Sequence, residues 1–473
     1  MRVTSHPIPT SLDTARYPLA AMDFDDLAFL PATDLVELLQ AKKVSSHELL
    51  DGYLDRVERF NSALNAIVTL DADRARERAA VADEATARGE SWGPMHGLPI
   101  TVKDVFETTG LRTTCGNPEW TDYVPERDAV LVSRLRNAGA VIFGKTNTPT
   151  LAADGQTFNP IFGTTNNPWN LACTPGGSSG GCGAAVASGM TSISFGSDIA
   201  GSIRIPSSFS GLYGHKPTYG LIPLRGHIPG PPGELIERDI NTVGPLARSP
   251  RDLDLALSVL AGPLSQEALG WRTELAPPSG RALTDYRVAA WLDDEACPVD
   301  STVRERLDAL VDALRDAGVS VDTEARPGFK FQESFDVFLP LLRQGNELTH
   351  AEWLALDAKR QALREHWAAL FERYDFLLCP VCSTPPFEHD QRPRDQREFK
   401  INGENRPSAD YIAWPGLIGV SYLPSTATPL GLNSNGLPIG VQVVGPHLSD
   451  RRTIEFSALL SKVIGGFQRP PGY

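Results

Sequence analysis

Residues 93–144 read GPMHGLPITVKDVFETTGLRTTCGNPEWTDYVPERDAVLVSRLRNAGAVIFG, and their rhythm decides the fold. Two short apolar runs, LPITV and AVIFG, are bounded by Gly and Pro, and DAVLVSRLRNAG between them reads as a helix. Strand, helix, strand is the repeating unit of an α/β protein built on a sheet. Further runs of the same kind follow: RVAAWLD, FLLCPV and LPIGVQVVG read as buried strands. The segments RSPRDLDLALSVLAG and STVRERLDALVDALRDA read as amphipathic helices.

On the N-terminal side the texture is helical over 33–90. Leu35, Leu38 and Leu39 recur at helical spacing, and Ser45 with Glu48 makes a capping box in front of HELLDGYLDRVERF. The segment ADRARERAAVADEATA is an Ala-rich, charged surface helix. Residues 160–233 are dense in Gly, Ser, Pro and Asn without being repetitive, and folded loops of that kind tend to carry a site. The polar stretch 385–409 reads as a surface loop.

The 473 residues would allow about three domains on length alone, yet one sheet covered on both faces can absorb them, and no linker or repeat divides the chain. A net charge of −14 disfavours a nucleic-acid footprint, which needs clustered Lys and Arg. The first residues lack the pattern of a signal peptide, and no apolar run is long enough to span a bilayer. Six scattered cysteines (115, 173, 182, 297, 379 and 382) suit reduced, buried thiols and a cytoplasmic protein.

Three short motifs invite other chemistries. Gly139–Thr146, GAVIFGKT, matches the phosphate-loop pattern, but its gap is a strand where flexible residues are needed to wrap a phosphate. Cys379-Pro-Val-Cys382 supplies at most two zinc ligands and has no second pair nearby. Gly176–Gly180 matches the G-x-S-x-G nucleophile elbow, but the Pro- and Asn-rich loop NNPWNLACTP precedes it in place of a strand. Of the later histidines 215, 227, 350, 366, 389 and 447, none stands in a setting that marks a base.

Three segments carry chemistry together. Lys103 ends the apolar run of GPMHGLPITVKDVF, where burial disfavours its charge; a fall of about three units would cost roughly 4 kcal/mol and give a neutral base. TPGGSSGGCGAAVASG sets Ser178 and Ser179 among glycines that permit close backbone approach. GSDIAGSIRIPSS places Ser202 behind Asp198, Ile199, Ala200 and Gly201, whose small residues let backbone N–H groups converge on one point.

Taken in order with the later GHKPT, these segments resemble the amidase signature family, most strongly over about 94–217, with GLPIGVQVVG as a weaker second block. The family shares the GAVIFGKTNTP run, so the resemblance points that segment away from nucleotides. It implies a single amidase domain over 1–473: an N-terminal helical segment (25–90), a signature core (94–217) and specificity segments (about 325–430), on a central mixed β-sheet covered by helices. Ser202 corresponds to the nucleophile, Ser178 to a bridging serine on a cis peptide after Gly177, and Lys103 to the base. Backbone N–H groups of Ile199, Ala200, Gly201 and Ser202 correspond to the oxyanion hole. Ser179, Asp198 and Arg204 match supporting polar residues. Many members have Gly where this chain has Ala200.

The implied reaction is hydrolysis of a carboxylic amide through an acyl-enzyme, without cofactor or metal. Its partner is a small-molecule amide, with no nucleic acid or membrane, and a homodimer is a compatible assembly. The aromatic run Phe329, Phe331, Phe335 and Phe338 and the segment Tyr411–Trp414 are candidate walls of an apolar pocket. They favour apolar or aryl amides, with carbamates (urethanes) and esters as variants. The rival within the family is the glutaminase subunit of a tRNA-dependent amidotransferase, which usually carries D-T-G-G-S where this chain has D-I-A-G-S.

Overall fold

The computed structural model describes residues 23–228, 230–344, 347–393 and 396–473, with backbone alone at 343 and 344. The first residues, on which the signal-peptide reading rests, lie outside them.

The strands are β1 (Ile67–Leu70), β2 (Pro99–Lys103), β3 (Val141–Thr146), β4 (Phe158–Asn159), β5 (Gly163–Thr164), β6 (Ile193–Asp198), β7 (Tyr213–Lys216), β8 (Thr242–Ala247), β9 (Arg287–Ala290), β10 (Ser320–Asp322), β11 (Phe376–Pro380), β12 (Phe399–Ile401), β13 (Glu404–Arg406), β14 (Ser425–Leu432) and β15 (Pro438–Val444). Eleven of them form one sheet in the order β1-β3-β2-β6-β8-β7-β14-β15-β11-β9-β10. It is mixed, as expected: β3, β2 and β6 are parallel, β8, β7, β14 and β15 add antiparallel neighbours, and β11, β9 and β10 are parallel again. Every residue of β2, β3, β6 and β15 is buried, which is why those strands appear in the sequence as unbroken apolar or small-residue runs.

Helices cover the sheet in two groups. Around β1–β3 and β6–β8, Ala32–Gln40, Ser46–Leu64 and Pro250–Leu260 close one apolar cluster. Around β9, β11, β14 and β15, Ser301–Asp316, Phe331–Gln344, His350–Arg373 and Asp450–Ile464 close the other. The capping box expected at Ser45 is present: its hydroxyl accepts from the Glu48 amide, and the Glu48 carboxylate accepts from the Ser45 amide. Two short features depart from the sequence reading. β1 interrupts the helical stretch 33–90, four residues that gain their strand identity by pairing with the edge of β3. A small hairpin, β12 with β13, stands inside the 385–409 loop.

Parallel strands direct their C-terminal ends to one side of a sheet, and ligands of open α/β sheets collect there. Lys103 is the last residue of β2 and Asp198 the last of its neighbour β6. The fold therefore delivers two distant motifs to one place.

Candidate active site

Lys103 is fully buried, and its Nζ donates to Ser178 Oγ at 2.7 Å and Ser197 Oγ at 3.2 Å. Both partners are hydroxyls. Burial drives its pKa down from 10.5 to about 8, less far than the sequence suggests.

Ser178 follows a cis peptide from Gly177. A Cβ on Gly177 would stand 2.6 Å from Asp154 O and 2.9 Å from Gln156 N, so only glycine fits that approach. Ser179 fastens the loop: its amide donates to Ser202 O (3.2 Å) and its hydroxyl to Ser197 O (3.3 Å). The helix Gly180–Ala187 then leaves the loop fully buried, which explains its run of Gly and Ala.

Ser202 lies on the turn between β6 and the helix Arg204–Ser210 and keeps a small exposed fraction (8%), against 1% for Ser178. Ser178 and Lys103 are brought within hydrogen-bond distance, whereas the Ser202 hydroxyl takes no hydrogen bond among the described residues. Asp198 organises the turn. Its carboxylate accepts from the amides of Gly201 (2.8 Å) and Ile203 (3.1 Å) and from Arg204 Nε (3.0 Å) and Nη2 (2.8 Å). Burial alone would raise its pKa, but the Arg204 guanidinium and the Gly201 amide bring it down to about 2.

One expectation meets a different arrangement: the Gly201 amide, grouped with the oxyanion donors in the sequence, donates to Asp198 Oδ1. Gly201 has a φ of 101° and lies against Pro415, where a Cβ would approach to 2.7 Å. Ala200 does not adopt a left-handed φ, and its methyl joins the second apolar cluster, so the Gly-to-Ala departure introduces no backbone strain.

Two residues of the site were not visible in the sequence. Ser197 is the second partner of Lys103, one residue before Asp198. Gln442, in β15, accepts from Arg204 Nη1 at 2.6 Å, and Arg204 also donates to Pro415 O at 3.0 Å. The block GLPIGVQVVG therefore props the turn that carries Ser202.

The misleading motifs resolve as structure. Lys145 of GAVIFGKT is fully buried, bonded to Phe106 O and to the hydroxyls of Thr108 (3.1 Å) and Thr113 (3.0 Å). Cys379 and Cys382 are buried free thiols, and no metal-binding group occurs among the described residues. His215 bonds Asp450 (3.1 Å) and Thr426 (3.0 Å), away from either serine. No helix among the described residues is long and apolar enough to cross a membrane.

The candidate specificity residues divide. Phe331, Phe338 and Trp414 are core: Trp414 packs edge-on against Trp291 and Phe331, and Phe338 lies on Gly416. Phe329 is likewise buried, and Tyr411 donates to Gly155 O at 2.8 Å. Phe335 is half-buried, on the helix that packs against Ala413–Gly419 beside Gly201.

A family model described as Amidase matches residues 48–345 and 330–454. The chain is 33% identical over 470 residues to a glutamyl-tRNA(Gln) amidotransferase subunit from Synechococcus sp. (strain CC9605), covering 88% of this chain and 93% of that one. Among solved structures it resembles a bacterial aryl acylamidase of the amidase signature enzymes (TM-score 0.80, 25% identity, covering 92% and 96% of the two chains). It also shares the fold of fatty acid amide hydrolase (TM-score 0.81, 21% identity, 98% and 92% covered).

Proposed function

The chain belongs to the amidase family, an amide-hydrolysing enzyme family, and we propose that it cleaves apolar or aryl carboxylic amides with Ser202 as nucleophile. The observation that carries this reading is the Lys103–Ser178 hydrogen bond of 2.7 Å between two buried side chains, on the loop that Ser179 ties to Ser202.

Neutral Lys103 accepts the proton of Ser178, and Ser178 accepts the proton of Ser202 as its Oγ attacks the carbonyl carbon. The negative charge on the carbonyl oxygen is met by backbone N–H groups of Ile199, Ala200 and Ser202; each such donor is worth about 100- to 1000-fold in rate. When the tetrahedral adduct collapses, the C–N bond breaks and Ser178 returns its proton to the leaving nitrogen. Water repeats the cycle on the acyl-enzyme and releases the acid. Asp198 and Arg204 hold the turn and touch no reacting atom.

The proposed substrate class is read from apolar side chains of the cluster that contains Ala200, of which Ile199 and Phe335 are half-buried. The nearby guanidinium of Arg204 is committed to Asp198, Pro415 and Gln442. An apolar acyl or aryl group suits that wall, and carbamates and esters offer the same carbonyl. A second reading, glutamine hydrolysis for a tRNA-dependent partner, is favoured by the 33% identity to an amidotransferase subunit. Glutaminase activity that appears only with a second subunit would establish it.

Ser202→Ala is expected to abolish both hydrolysis of an aryl amide and covalent labelling by a fluorophosphonate probe. Undiminished labelling of the variant would remove Ser202 from the role. A panel of short aliphatic amides, anilides, carbamates, esters and glutamine then ranks the substrates.

A further inference from the structure

β6 and β8 pair antiparallel along their length, from Ile193 opposite Ala247 to Asp198 opposite Thr242. Thr242, two residues after Ile240, donates its hydroxyl to Asp198 O at 3.2 Å, the carbonyl of the peptide that carries the Ile199 N–H, and Ile240 and Ala200 belong to one apolar cluster. Ile240 has a left-handed backbone (φ 56°), a region that β-branched residues avoid. Tyr422 is left-handed too, at φ 66°. Bulky residues persist in that region only where their surroundings over-determine them.

One carboxylate does so for both. Asp239 accepts from Arg360 Nη1 through both oxygens (2.9 and 2.8 Å), from the Trp353 indole (3.2 Å), from the Tyr422 hydroxyl (2.6 Å) and from the Ile240 amide (2.8 Å). Arg360 is fully buried and lies over the Tyr422 ring at 4.5 Å; Tyr219 stacks on the same ring at 4.2 Å. The Tyr422 amide donates to Gly419 O at 3.0 Å, and a Cβ on Gly419 would be 3.6 Å from Ile199 O. The network therefore reaches Ile199 from two sides, through Tyr422 and Gly419 and through Ile240 and Thr242.

We propose that Asp239 is a positioning residue for the oxyanion loop: by locking Ile240 and Tyr422 it fixes the backbone N–H group of Ile199. This rests on the reading of Ser202 as nucleophile. The residue touches no reacting atom, so its effect is confined to the transition state, in which the oxygen gains charge.

The test compares wild type, Asp239→Asn and the milder Tyr422→Phe on an aryl amide, with phenylboronic acid as the mimic of the tetrahedral adduct. Asp239→Asn is expected to lower kcat by about tenfold with KM within about twofold, and Tyr422→Phe by about threefold. Boronate affinity falls in step with kcat in each. A lower melting temperature with kcat and boronate affinity per folded enzyme unchanged would overturn the proposal, as would a raised KM at constant kcat. If wild-type Ser202 takes up no fluorophosphonate, the nucleophile assignment fails; if it labels and both variants match wild type, only the role of Asp239 fails.

Discussion

Lys103 ends β2 and Lys145 is the last residue but one of its parallel neighbour β3, where Val102 pairs with Lys145 across the ladder. Both side chains are fully buried, and burial lowers both pKa values to about 8. By burial and acidity they are twins; their partners separate them. Lys145 donates to a peptide carbonyl and two threonine hydroxyls, with the Asp104 carboxylate 3.9 Å away. Lys103 meets two serine hydroxyls, and one of them, Ser178, sits on the loop that Ser179 ties to the Ser202 turn. The Thr108 and Thr113 hydroxyls donate in turn to the carbonyls of Phe106 and Leu111 (3.0 Å each), which cannot pass a proton on, whereas the Ser178 hydroxyl can accept a proton and give one on the side of the Ser202 turn. A lowered pKa makes a lysine available as a base, and a hydroxyl on the loop tied to the Ser202 turn gives that base a route to the reaction.

The sharpest way to break this pairing is to remove each lysine. Lys103→Ala is expected to reduce kcat by about 1000-fold while the protein unfolds at an unchanged or higher urea concentration, since a buried amine is lost. Lys145→Met should do the reverse. It removes the ammonium 3.9 Å from the buried Asp104 carboxylate and one of the donors to Phe106 O, which costs about 2–4 kcal/mol of stability, with kcat of the folded enzyme kept within about threefold. Steady-state rates and urea denaturation of the two purified variants decide the matter. A folded Lys145→Met protein that has lost turnover would show that the second lysine also serves the chemistry.

The next effect is on pH. In the proposed relay Lys103 acts in its neutral form, so kcat/KM should rise with pH through a midpoint near 8 and level off above it. At pH 7 about one molecule in ten carries the neutral amine, given the fall to about 8. A profile flat from pH 6 to 9 would contradict the assignment. Lys103→Arg sharpens the test, because a guanidinium cannot give up its proton and no pH should restore activity.

What the sequence made legible follows the same division. A strand-end lysine, a glycine-caged serine pair and an Asp-x-x-x-Ser turn are local patterns, and each dictates its own backbone within a few residues. Lys103, Ser178 and Asp198 are therefore legible once the three segments are taken together and with the family they resemble. The direction of a single amide is not: Gly201 belongs to the small-residue turn, but only the fold shows its N–H turned to Asp198. Aromatic residues at helical spacing do not reveal which face they bury, so Phe331, Phe338 and Trp414 read as pocket walls until their packing is seen. Convergent sites were hidden for a further reason. Gln442 reaches Arg204 across 238 residues and Arg360 reaches Asp239 across 121, and no local pattern records either meeting.

Ser197 offers the smallest and most discriminating contrast between the two lysines. Its hydroxyl accepts from Lys103 Nζ at 3.2 Å but lies one residue before the oxyanion turn, off the path from Ser178 to Ser202. An ammonium donates a stronger hydrogen bond than an amine, so this acceptor favours the charged form of Lys103. Ser197→Ala should then lower the lysine pKa further and move the acid limb of kcat/KM to lower pH by less than about one unit. The plateau should fall only by about two- to fivefold, as Nζ loses one of the two contacts that orient it. Thr113→Ala removes the matching hydroxyl from Lys145 and should leave the limb where it is. If the Thr113 variant shifted the limb as far as the Ser197 variant did, the acid limb would report the buried charge of both strand ends, and the division of labour between the lysines would be lost.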